Sequence, residues 1–255
     1  MIKYLSILSI SLLLLINCSS PSEKPNKPMP FKALYADELI VIDGLMNEQS
    51  WKKAPSSQFN YHYNVETLSD EQVTNFRMLW DENNIYLHYQ CQDKYITARE
   101  TKRDGATFLD DCAELFLSPS KDNPQLHFCF EINLNKVCND IIYLNDFESG
   151  NDVVIKGYNP PYKAAVTIDG TVNDNSDIDK GWTMEVAIPL YAFNRYSEAN
   201  PIQNKAQWSF LALRQNRDDI EGERRVTSII YPNHKIENDV HQPEFFGKVE
   251  FISHH

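Results

Sequence analysis

The feature that most constrains this chain is an apolar residue at every second position, repeated in many short segments. Between Leu126 and Leu134, Phe128, Phe130 and Ile132 fall on one side, and His127, Cys129, Glu131 and Asn133 on the other. A period of two belongs to a strand, whose side chains alternate across a sheet. Similar runs span Val73 to Trp80, Ile85 to Gln92, Cys112 to Leu117, Tyr162 to Ile168 and Trp182 to Ile188. Trp208 to Leu213, Arg225 to Ile230 and Lys248 to Ile252 complete the set. Polar turn clusters such as Asp81-Glu82-Asn83-Asn84 separate them. Helical periodicity is confined to Gln49 to Lys53 and Leu190 to Phe193, each long enough for a single turn. Many strands at near-regular spacing predict an all-β, antiparallel β-sandwich of jelly-roll type. No internal repeat interrupts the pattern.

The first thirty residues read differently. Lys3 precedes an apolar run from Leu5 to Ile16, too short to cross a bilayer as a helix. The run ends Leu15-Ile16-Asn17-Cys18, which resembles a bacterial lipobox in which Cys18 becomes the lipidated N-terminus. Asn17 departs from the small residue usual before that cysteine. Residues 1–17 are thus expected to be a lipoprotein signal peptide. Residues 18–30, with four prolines and little apolar surface, are expected to be a flexible tether. Residues 31–255 then form one domain large enough for a sizeable core. The expected location is a bacterial membrane, the outer one, with the domain held there by acyl chains.

The formal charge of -12 argues against a nucleic-acid partner, whose phosphates need a basic face. Beyond Cys18 there are four cysteines, at 91, 112, 129 and 138, without the spacing of a zinc motif. An exported chain meets an oxidising compartment. If the strands at Ile85 to Gln92 and Cys112 to Leu117 paired symmetrically about their long connection, Cys91 would oppose Cys112. A Cys91–Cys112 disulfide is expected on that basis, with Cys129 and Cys138 free.

Five segments together resemble the family 9 carbohydrate-binding modules, within the wider DOMON-like β-sandwich group. They are Ile42-Asp43-Gly44 with Glu48 and Trp51; Leu79-Trp80-Asp81 with Ile85-Tyr86-Leu87; and Asp111-Cys112-Ala113-Glu114-Leu115-Phe116-Leu117. Gly181-Trp182 with Glu185 and Ile188-Pro189, then Pro243 with Phe246-Gly247, complete the order. Most have structural readings: Asp43-Gly44 is a turn, and Trp51, Tyr86 and Trp182 cover sheet ends.

The resemblance implies a sugar site in which two aromatic faces sandwich a ring and polar side chains pair with its hydroxyls. Phe108 stands where one aromatic belongs, just before the Asp111–Leu117 strand. Glu114 matches a ligand-contacting carboxylate. Glu131 stands where sugar-binding relatives carry arginine, so Arg214 or Arg217 is the substitute cation and Asn216 a hydroxyl partner. The second aromatic has no tryptophan counterpart: Val240 is aligned there, and Tyr231 and His241 are the substitutes. No cofactor is required, although relatives bind structural calcium. Asp174, Asp177 and Asp179 offer oxygen ligands for it, in a run that also reads as a solvated hairpin loop.

The resulting expectation is a non-catalytic lipoprotein that captures oligo- or polysaccharide at the cell surface during glycan utilisation. Two alternatives remain open. One is a haem-binding electron-transfer protein, with Met78 and His88 as the nominated ligands. The other is an accessory domain of a glycoside hydrolase system. Asp110, Asp111 and Glu114 are neighbours on one strand edge and lack the cleft arrangement of a glycosidase. The histidines form no sequence-close pair except His254-His255, which argues against a catalytic metal centre.

Overall fold

Nine of the expected strands are present within one or two residues, except that the seventh, at Trp208, runs three residues further. The computed structural model describes residues 29–63, 72–120, 122, 125–145, 152–193, 201–218, 226–232 and 240–253. Cys18, the expected signal peptide and the tether up to residue 28 lie outside the described residues. In chain order the strands begin with β1 (Phe31–Tyr35), β2 (Ser57–Gln58), β3 (Tyr61–Tyr63), β4 (Thr74–Trp80) and β5 (Asn84–Gln92). Next come β6 (Cys112–Ser118), β7 (Leu126–Asn133), β8 (Cys138–Leu144), β9 (Val153–Lys156) and β10 (Lys163–Asp169). The last are β11 (Gly181–Pro189), β12 (Gln207–Asn216), β13 (Val226–Ile229) and β14 (Gly247–Ile252). Among the described residues the one α-helix, α1, is Gln49–Lys53, and Leu190–Phe193 is a 3₁₀ turn, both where the sequence put a turn of helix.

The strands join in one curled sheet, in the order β10-β11-β5-β4-β1-β14-β12-β6-β7-β8-β9. Its two halves meet face to face as a sandwich. Phe76, Leu87, Met184 and Val186 from one half pack with Leu115, Phe128, Phe130 and Phe210 from the other in a single core. Burying these side chains supplies the main drive to fold, roughly 1.5–3 kcal/mol each. The fold is antiparallel as expected, with one exception. β1 runs parallel to both of its neighbours, β14 and β4.

The register corrects the expected disulfide. β5 lies between β11 and β4, whereas β6 lies between β12 and β7. Cys91 therefore opposes Trp182 and Thr74, while Cys112 opposes Gln215 and Asn133. The two cysteines belong to different halves of the sandwich, and Cys91, Cys112, Cys129 and Cys138 are separate thiols. The connection from Asp93 to Asp111 crosses between halves; it does not return as a hairpin.

The motif residues act as pins. The Glu185 carboxylate accepts from the amides of Asp43 (3.0 Å) and Gly44 (3.1 Å) and from Trp51 Nε1 (2.7 Å). It fastens the opening turn and α1 onto the outer face of β11. Gly44 has φ +87°, and a Cβ there would meet Thr167 at 3.0 Å, so this turn needs glycine. Asp81 accepts from the Asn83 and Asn84 amides and from the Tyr86 hydroxyl, each at 2.7 Å, which closes the β4–β5 hairpin.

Candidate functional site

Side chains directly opposed on neighbouring strands share a face of the sheet. Glu114 on β6 opposes Glu131 on β7, and Glu131 opposes Asn139 on β8. On the other side of β6, Cys112 opposes Gln215 of β12, and Gln215 opposes Thr227 of β13. These residues therefore line one face, the one turned away from the core. All are buried.

The hydrogen bonds confirm the arrangement. Asn139 Nδ2 donates to Glu131 Oε2 at 2.7 Å, and Thr227 Oγ1 donates to Gln215 Oε1 at 2.6 Å. Thr107 Oγ1 donates to the Glu131 carbonyl at 2.9 Å. That bond seats the 3₁₀ turn Thr107–Leu109, which carries half-buried Phe108, against β7. The Cys112 thiol is pushed well up by burial and then by the nearby charges of Glu114 and Glu131. Two carboxylates directly opposed in a buried position repel one another, so the arrangement calls for hydrogen-bond donors around them.

One step further along the same face lies an aromatic cluster. Phe116 opposes Cys129, and His127 opposes Tyr143. His241 enters from the segment before Pro243 and stacks between Phe116 (4.4 Å, 12°) and Tyr143 (4.3 Å, 5°). His127 Nε2 lies 3.2 Å from His241 Nδ1. Burial lowers the His241 imidazole to about 4, against a small opposing pull from Asp152. This pair was invisible in sequence: 113 residues separate the two histidines, and only the fold brings them together. Of the site candidates read from sequence, Glu114, Glu131 and His241 share this face, and Phe108 follows Thr107 in the turn bonded to β7.

Arg214, Asn216 and Tyr231 do not share it. Arg214 opposes Ala113, one register step from Leu213, and so points into the core. It is wholly buried, donating to Asp93 Oδ2 (2.8 Å), the Gln92 carbonyl (2.8 Å) and Asn216 Oδ1 (2.6 Å), with its guanidinium over the Trp182 ring. Trp182 Nε1 donates to the same Asp93 oxygen at 2.9 Å. Arg214 is thus the core's cross-sheet tie, and Asn216 is its positioning partner. Tyr231 packs edge-on against Phe210 at 5.4 Å and belongs to the core. Arg217 donates its backbone amide to Asp111 and a guanidinium N–H to the Leu109 carbonyl. Val240 is buried in the core cluster.

The structure places the remaining residues as follows. Asp110 accepts from the Arg99 and Glu100 amides and from Asn133 Nδ2, and Asp111 from the Thr97 and Arg217 amides. Both are loop pins. Asp179 accepts from the Ile96 and Thr171 amides, while Asp174 turns to the Ser176 amide. Asp177 and Asp179 both accept from the Thr171 hydroxyl, at 2.8 and 3.5 Å, but with Asp174 they form no metal-ligating group: among the described residues, the one group of three such side chains is elsewhere. Met78 opposes Leu87, whereas His88 opposes Arg77, so Met78 and His88 leave opposite faces of the sheet and cannot grip one haem. Asn139, Gln215, Thr227, His127 and Tyr143 were not among the sequence candidates. The alternation of β7 already put His127 with Glu131, but only register adds the rest.

The molecule is a curled β-sandwich with a buried carboxylate–amide face and stacked aromatics beside it. The family model described as "Carbohydrate family 9 binding domain-like" matches residues 42–254, and the chain belongs to that family. Among solved structures it is similar to a family 9 carbohydrate-binding module from Caldicellulosiruptor kristjanssonii in complex with cellotriose. There the TM-score is 0.61 at 15% identity, over 89% of this chain and 95% of that one. The structure of a family 9 module from the same organism in complex with glucose gives 0.59 at 15%, over 88% and 97%. A putative carbohydrate-binding protein from Bacteroides uniformis ATCC 8492 gives 0.57 at 18%, over 78% and 87%. No curated protein matches the chain. At these identities the structures share the fold.

Proposed function

We propose that this protein is a non-catalytic carbohydrate-binding lipoprotein that captures oligo- or polysaccharide at a bacterial cell surface. The observation that carries the reading is the direct opposition of Glu114 and Glu131, flanked by Asn139, Gln215 and Thr227, on one face. Sugar hydroxyls are donors, and a paired carboxylate wall accepts several at once; amide and hydroxyl groups complete bidentate contacts with adjacent hydroxyls. Half-buried Phe108, next to the Thr107 bond that seats its turn on β7, offers apolar surface for the C–H face of a pyranose. Both carboxylates project from one wall of the sheet, whereas glycoside hydrolysis places its pair on either side of the scissile bond.

A glycan array followed by calorimetry tests the reading, with cellotriose and glucose as the first probes. Glu114→Ala and Glu131→Ala should each weaken binding by about tenfold or more, since a hydrogen bond to a charged group contributes roughly 1.5–3 kcal/mol. Phe108→Ala should weaken it less. Unchanged affinity in all three variants would remove this face as the site, and a folded protein that retains no glycan would remove the function.

The surface location rests on the lipobox-like Cys18. In Cys18→Ser cells the protein should leave the membrane fraction; a variant that still fractionates as wild type would sink the anchor.

A further inference from the structure

We propose that His127, Cys129 and His241 form a binding site for a zinc-class transition-metal ion, one step along the face that carries Glu114 and Glu131. The ligand atoms of these three residues all lie within 4.8 Å of one another. His127 Nε2 is 3.2 Å from His241 Nδ1, and Cys129 Sγ is 3.7 Å from the same nitrogen. Zinc bonds imidazole nitrogen at about 2.0–2.1 Å and thiolate sulfur at about 2.3 Å. In a tetrahedron those bonds separate two nitrogens by about 3.4 Å, and a nitrogen from a sulfur by about 3.6 Å. Two of the three ligand–ligand edges thus stand close to those of a tetrahedral N₂S site before any ion enters, and the third lies within 4.8 Å.

The fold supplies this geometry from two sources. His127 and Cys129 are two residues apart on β7, so alternation aims both to one side. His241 is held over them by its stack between Phe116 and Tyr143, and by Asn145 Nδ2, which donates to the His241 carbonyl at 3.2 Å. Tyr143 and Asn145 both donate to Asp152, fixing the far wall. His127 and Cys129 are buried, with exposures of 0% and 1%, and His241 is partly exposed. Two imidazoles and a thiolate suit zinc or another borderline-soft ion, and disfavour calcium or magnesium, which take oxygen. Three protein ligands leave a fourth position for water or another donor. A bound ion would tie the segment leading to Pro243 onto β7, next to Glu131.

The test uses the reduced full-length chain, with Zn²⁺ alone in calorimetry and Co²⁺ alone in absorption spectroscopy. One ion should bind per chain and raise the unfolding temperature. Co²⁺ should give the intense visible bands of a tetrahedral site and a near-ultraviolet thiolate charge-transfer band. Cys129→Ser, close to isosteric, should keep the fold and lose the charge-transfer band. His127→Gln and His241→Gln should each weaken Zn²⁺ by more than the roughly 10–100-fold that loss of an outer-shell partner costs. Should either glutamine variant unfold, the serine variant decides alone. The proposal is overturned if the folded wild type binds no Zn²⁺, or if Cys129→Ser keeps both the affinity and the charge-transfer band.

Discussion

Asp93 and Arg214 form an ion pair whose side chains are 0% and 1% exposed. A buried pair of this kind adds little stability over apolar packing, but removing one partner strands the other. Asp93→Ala should therefore cost about 3–5 kcal/mol, whereas Arg214→Met with Asp93→Leu together should cost far less. Urea unfolding of the single and double variants checks this; equal losses in both would refute the pairing argument. His88 makes a second residue-scale case. Burial, and then the charge of Arg77, lowers its imidazole from 6.5 to about 4. Between those values the unfolded chain takes up a proton that the folded chain refuses. The contribution of His88 is complete above about pH 6.5 and is lost as pH falls towards 4, up to about 3 kcal/mol. Wild type should lose unfolding temperature across that window faster than His88→Gln, and parallel profiles would count against it. These same residues show where sequence reading stops. Alternation along β12 fixes that Arg214 and Leu213 face opposite ways. Nothing local says which of the two lies over Glu114, and register assigned that place to Leu213. Glu114 is readable from the motif on β6, and Glu131 from the strong alternation of β7.

At the scale of elements, the strands with clean binary patterns were legible and the others were not. β8 is buried on both faces at Cys138 to Ile142, so its polar residues Asn139 and Asp140 break any alternation. Asp140 is matched instead by Arg103, whose Nε lies 2.8 Å away. β1 to β3 and β9 are short, and pairing with distant strands defines them more than composition does. The long connection after β5 misled for a related reason: a chain that leaves one half of a sandwich can rejoin the other, and local pattern is the same either way. The pin at Glu185 gives an element-scale prediction. Burial raises its carboxyl above the usual range, and the bonds from Gly44, Trp51 and Asp43 oppose that shift. Glu185→Ala removes the acceptor for two amides and an indole at once. It should destabilise the domain by several kcal/mol, at about 1–3 kcal/mol for each buried group left unsatisfied. It should also loosen α1, read as a change in Trp51 fluorescence before global unfolding. A variant with wild-type stability would show that water replaces the carboxylate at no cost.

Across the whole molecule, 15% identity suffices to keep the same sandwich over nearly the full chain. A fold can survive wide change in the side chains that fill it, provided core volume and patterning are kept. The seam where the curled sheet's two halves join is β1, flanked in parallel by β14 and β4, with Phe31 beside Val249 and Leu34 beside both Ile252 and Leu79. Hydrogen bonds in a ladder run across the strands. A pull on the chain just before Phe31, along the axis of β1, would load the bonds on both flanks together, in shear; they could not open one by one like a zip. If the lipobox-like Cys18 anchors the chain, that is where tension from a captured polymer would arrive. The first described strand, paired on both sides, would then be held in a geometry that resists being drawn out.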